Sequence, residues 1–210
     1  MSKKELEKRS YSFEVRAEQT ERGQIIVGRP IVYESMTDLG WFNEIIERGA
    51  LTGTDLTDVR FLVNHDLSKI PLARSRRNNG NSTMTLTVDD MGLKIEVVLD
   101  TENNADARAL YSAVQRGDIT GMSFMFSIED EEWQDLESDH PTRRIKKIGS
   151  VVEVSAVTFP AYEATDIQAR GKEALDNARS ALESARQQRG QSLDSDLELA
   201  KAKTMTLSII

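Results

Sequence analysis

The sequence predicts a mainly β chain with helical elements, of the α+β class, ending in a helical C-terminal tail. Three observations predict it. Apolar and polar residues alternate with period two through much of the first two-thirds of the chain. Two stretches of helical spacing interrupt that alternation. After about Thr165 the β-branched and aromatic residues give way to Ala and Leu at helical spacing among Arg, Glu and Gln.

Taken in order, Tyr11–Glu18 places Tyr11, Phe13, Val15 and Ala17 on one face of a strand. A turn follows at Glu21-Arg22-Gly23. Gln24–Tyr33 then reads as a second strand, whose Gly28 and Pro30 imply a bulge or an edge. From Asp38 to Leu51 the spacing of Leu39, Phe42, Ile45 and Ile46 predicts a helix, with Gly49 near its end. Val59–Asn64 is a short apolar run that stops at His65-Asp66. Thr83–Val88 and Leu93–Leu99 form a hairpin around Asp89-Asp90-Met91-Gly92. Asn103 or Asn104 caps a helix with the stripe Ala107, Leu110, Tyr111 and Val114, and Gly117 stops it. Gly121–Ile128 is a strand, Glu129–His140 an acidic loop, and Ile145–Phe159 a long strand region. Residues 1–165 therefore read as one domain and 166–210 as a separable helical tail, with a break at Gly190-Gln191-Ser192.

Composition narrows the function. Of 210 residues, 39% are hydrophobic and 30% charged, ordinary values for a chain that buries a core. A net charge of −8 opposes direct nucleic-acid binding, which needs clustered Lys and Arg. With no cysteine there are no disulfides or thiolate metal sites, and no apolar run suggests a signal peptide or membrane span. The expectation is a soluble, cytosolic protein. Two histidines without His-Glu-x-x-His spacing argue against a catalytic zinc, and no Gly-rich phosphate loop is present. No cofactor is expected.

The remaining chemistry rests on few residues. Ser123, in Gly121-Met122-Ser123-Phe124, is either a small residue on a half-buried strand or a nucleophile held on a rigid one. His65, at the end of an apolar run, is either a surface or cap residue or a general base. His140, between Asp139 and Pro141 in the acidic loop, reads more simply as solvated. Glu153 interrupts Val151-Val152-Glu153-Val154. It must be paired, solvent-facing or functional, because an isolated buried carboxylate is costly. Asp66 adjoins His65, but neighbours on an extended chain point apart.

Four segments, in order, resemble the caudovirus prohead proteases. They are Phe42-x-Glu44-x-Ile46-x-x-Gly49-Ala50-Leu51, Asn64-His65-Asp66, Asp118-Ile119-Thr120-Gly121-Met122-Ser123-Phe124 and Glu153–Tyr162. The resemblance spans about Arg16 to Ala164. It implies a fold similar to herpesvirus assemblins, a β-barrel ringed by helices. It also implies a serine endopeptidase with His65 as base, Ser123 as nucleophile and Glu153 as the nearest candidate for the third member, with His140 the alternative. Met125 departs from the pattern, since many members carry Gly two residues after the serine. The substrates implied are the major capsid protein with its scaffolding segment, and the enzyme itself, inside the procapsid in the host cytoplasm. The tail would dock on scaffold or shell, with Arg189-Gly190-Gln191 a region for self-cleavage, or would only make a homo-oligomer. An inactive capsid-assembly or scaffolding protein with the same barrel is the competing class.

Overall fold

The computed structural model describes residues 6–11, 15–76, 81–158, 179–191, 193 and 195. In chain order come β1 (Glu7–Tyr11), β2 (Val15–Thr20), β3 (Gly23–Val32), β4 (Met36–Asp38), β5 (Asn43–Ile46), β6 (Arg60–Val63), β7 (Ala73–Arg74), β8 (Met84–Asp89) and β9 (Gly92–Val98). Helix α1 (Ala105–Arg116) precedes the long β10 (Gly121–Gln134) and β11 (Thr142–Val157). A second helix, α2, covers 179–191.

The strands form two sheets, and among the described residues no closed barrel is found. One sheet has seven strands in the path β1-β10-β11-β5-β4, with β6 also on β11 and β7 on β6. The other has four, ordered β2-β3-β9-β8. The barrel ringed by helices thus gives way to two open sheets with α1 and α2. Both sheets and α1 share one core: Ile26, Ile31, Ile95 and Val97 from the smaller sheet, Phe124, Phe126 and Val154 from the larger, Leu110 and Tyr111 from the helix.

Helix α1 follows the local signals. Asn104 Oδ1 accepts hydrogen bonds from Asp106 N and Ala107 N, and Gly117 at φ 78° ends the helix. The stripe Ala107, Leu110, Tyr111, Val114 is buried. The interruption at Gly28 and Pro30 is a register shift between β3 and β9, a bulge inside the sheet rather than an edge.

Residues 38–51 do not form a helix. Asn43–Ile46 pairs in parallel with Thr142–Ile145 of β11 and antiparallel with β4. The period-two pattern was present as Phe42, Glu44, Ile46, all buried, but a carboxylate in its middle hides it. Glu44 can lie there because Arg9 and Arg143 pair with it. The apparent helical stripe divides between two cores: Ile46 joins the main one, while Leu39 and Phe42 pack with Leu136 and Leu182.

The acidic segment after Ile128 is likewise strand as far as Gln134. Its charges meet basic partners across the hairpin: Glu129 with Lys147, Glu132 with Lys146, and Glu131 with Arg143. The boundary expected at 165/166 lies outside the described residues. Helix α2 nonetheless has a partner in the strand-rich part, through buried Leu182. It continues through Gly190 to residue 191, without the break read from the sequence there.

Candidate active site

The site is built on the middle of β10 and β11. Alternation on β10 sends Met122, Phe124 and Phe126 into the core and leaves Ser123 and Met125 on the opposite face. In the antiparallel register Ser123 stands opposite Ser155, and Met125 opposite Glu153. Three polar positions and one methionine therefore share a patch fixed by the ladder.

Strand β6 supplies the histidine. It pairs in parallel with β11, Arg60 beside Glu153 and Val63 beside Ala156. The chain then turns back, because Asn64 and His65 both adopt left-handed conformations, at φ 53° and 57°. Asn and His tolerate this region better than most residues. The turn is pinned from both sides. Asn64 N donates to Ala156 O at 3.0 Å. Its amide Oδ1 accepts from Thr158 N at 3.0 Å, and its Nδ2 donates to Thr158 Oγ1 at 3.1 Å. His65 N donates to Ser155 Oγ at 3.0 Å.

The imidazole so positioned bridges the other two residues. His65 Nε2 lies 2.5 Å from Ser123 Oγ, and Nδ1 lies 2.6 Å from Glu153 Oε2. The second carboxylate oxygen of Glu153 accepts the Ser155 hydroxyl. An ionised carboxylate only accepts, so Nδ1 carries the hydrogen and Nε2 presents its lone pair to Ser123. Glu153 is 1% exposed. Its burial is tolerable because both oxygens are hydrogen-bonded and an imidazolium formed beside it would be neutralised. Ser123 is buried too, and Arg9 O of β1, 2.7 Å from its Oγ, is a second acceptor for its single hydroxyl hydrogen.

Of the residues singled out from the sequence, His65, Ser123 and Glu153 come together. His140 does not: its Nε2 lies 3.3 Å from Asp38 Oδ1, both side chains well exposed. Asp66 faces away from the imidazole. Its Oδ1 accepts from Ser68 Oγ and N, and these bonds hold its carboxyl below the usual range. Met125 packs as the cross-strand neighbour of Glu153 and is nearly buried. Sequence reasoning missed Ser155 and Asn64. Ser155 was findable, two residues after Glu153 on an alternating strand; Asn64 carried only its tolerance of positive φ. Among the described residues, no group of three or more His, Asp or Glu is arranged to hold a metal ion.

The family described as caudovirus prohead serine protease matches residues 11–179. No curated protein sequence matches the chain. Among solved structures, the capsid assembly protease of bacteriophage T4 is similar at 13% identity and a TM-score of 0.37, over 72% of this chain and 98% of that one.

Proposed function

Because the chain belongs to the caudovirus prohead serine protease family, we propose that it is a serine endopeptidase of phage capsid assembly in which Ser123, His65 and Glu153 act together. The observation that carries this reading is the single imidazole bridging Ser123 and Glu153, at 2.5 and 2.6 Å. In the acylation step His65 Nε2 takes the Ser123 proton as Oγ attacks a peptide carbonyl, and returns it to the leaving amine. A water then enters, and His65 takes its proton as the water oxygen attacks the acyl carbonyl. The bond between Ser123 Oγ and the acyl group breaks as His65 returns that proton to Ser123 Oγ. Glu153 fixes the Nδ1–H tautomer and balances the transient imidazolium. Ser155 positions Glu153 through Oε1.

The substrates in this proposal are the major capsid protein with its scaffolding segment and the protease itself, inside the procapsid in the host cytoplasm. The tail from residue 166 onward serves to dock the enzyme on scaffold or shell. Self-cleavage at Arg189-Gly190-Gln191 would first require local unwinding, since that segment is helical. The contrasting reading, an assembly protein without activity, is disfavoured because a vestigial site has no reason to keep serine and imidazole within hydrogen-bond reach.

Co-expression with the cognate capsid protein, followed by mass measurement of both chains, tests the reading. Ser123→Ala should abolish processing while the chain stays folded, because only one oxygen is removed. Normal processing by the folded variant would sink the proposal.

A further inference from the structure

Ser123 is 0% exposed, an unsuitable position for a nucleophile that must meet a peptide from outside. Lying against it is the chain's own β1. That strand is laid antiparallel along the edge of β10, with Arg9 opposite Phe124 and residue 10 opposite Ser123. Addition of an extended strand to a sheet edge is a common way for proteins to hold peptides. The Arg9 carbonyl oxygen stands 2.7 Å from Ser123 Oγ, so the strand's backbone reaches the serine within hydrogen-bond distance.

The Arg9 side chain is held as a pocket for arginine would hold it. Glu44, its side chain fully buried, accepts from Arg9 Nε and, at 2.7 Å, from Arg9 Nη2. This is the bidentate fork that matches a guanidinium and fits a compact ammonium less well. The Phe126 ring lies 5.7 Å from the guanidinium carbon. Arg143 shares this carboxylate only at the longer distance. It stands 3.4 Å from Glu44 and makes closer bonds to Glu7 and Glu131. Glu44 is therefore a buried acid that the catalytic steps leave unused.

Building on the protease reading, we infer that β1 occupies the groove of the substrate. The edge of β10 takes an extended peptide, and Glu44 reads an arginine at the residue whose carbonyl faces Ser123. For that peptide to enter, β1 must leave. The proton count agrees with a resting state. Ser123 has one hydroxyl hydrogen and two acceptors in reach, Arg9 O and His65 Nε2. While β1 is in place, Arg9 O competes with the base for that hydrogen. All of β1 except its last residue precedes the segment matched by the family, which begins at residue 11.

The test is acylation of Ser123 by a fluorophosphonate in the full-length chain, read by intact mass. Arg9→Ala should label at least about tenfold faster than wild type, because the rate scales with the fraction of molecules whose serine is open. Arg9→Gln keeps most of the stem over Phe126 and serves where Arg9→Ala fails to fold. A peptide copying Leu6–Tyr11, in excess, should slow labelling of the open variant, and the same peptide with glutamate in the arginine position should not. Equal rates in wild type and both variants, or equal protection by both peptides, overturn the inference and leave the protease reading standing. Absence of Ser123 labelling in every folded form overturns the protease reading itself.

Discussion

The two left-handed residues before Asp66 carry the geometry of the site. A backbone held at positive φ outside glycine costs about 1–3 kcal/mol in general, less for Asn and His, and persists only where surrounding bonds hold it. Here the Asn64–Thr158 pair and the His65 N–Ser155 Oγ bond do so. Ser155 thus serves two neighbours at once, accepting from His65 and donating to Glu153. Glu153→Gln keeps shape but no longer selects the Nδ1–H tautomer. It should lower kcat by about 10³–10⁴-fold, with KM little changed, in a peptide-cleavage assay. His140→Ala, beside Asp38 on the surface, should leave kcat within about twofold, since exposed pairs contribute little. A large loss from His140→Ala with a small one from Glu153→Gln would reverse the assignment. The sequence carried Ser123, His65 and Glu153 by type and order. It did not carry the contacts among them, because they depend on a ladder joining residues 58 and 88 positions apart.

At the scale of elements, local signals were readable where a single segment satisfies itself. The caps of α1, its buried stripe and the β8–β9 hairpin follow from neighbours in sequence. Segments stabilised by distant charges were not readable as strands. Glu44 breaks the apolar alternation of β5, and the acidic half of β10 resembles a loop until Lys146, Lys147 and Arg143 are set opposite it. Gly92, which opens β9, is a sharp test of the smaller sheet. Its φ is 137°, and a Cβ there would lie 2.1 Å from Ile31 O. Gly92→Ala should therefore cost about 3 kcal/mol or more, from backbone strain and displacement of β3 together. Chemical denaturation would measure it, and a change below about 1 kcal/mol would contradict this packing.

For the whole molecule, the main core is continuous across both sheets, whereas α2 rests on a small second cluster of Leu39, Phe42, Leu136 and Leu182, with Trp133 and Ala185 beside it. Leu182→Ala should cost that contact about 2 kcal/mol. Amide exchange would then quicken over 179–191 while the melting of the sheets changes little; equal destabilisation of both would mean one cooperative unit. A second global lever is acid. Burial alone would raise the Glu7 carboxyl, but Arg9 and Arg143 outweigh it and hold its pKa below the ordinary 4.5. A depressed folded pKa contributes stability above the unfolded value and loses it as pH falls through the folded one. Attachment of β1 should therefore be strong above about pH 4.5 and weaken below it, read as faster amide exchange over residues 7–11. Retention of full protection at pH 3 would argue against the Glu7 pairing as the anchor.

The parallel seam between β6 and β11 has one more consequence. It joins Arg60–Val63 to Glu153–Ala156, and every distance from His65 to its partners is counted off from it. A slip of one residue would shift the histidine by about 3.3 Å and turn the strand's faces over. Apolar residues on both strands would tolerate such a slip far better than the imidazole would. The seam is a vernier: a chain can be compact, strand-rich and thermally stable, yet read one notch off and be silent. For the proposed protease, catalytic turnover, rather than any spectrum of secondary structure, is then the stricter gauge of correct folding.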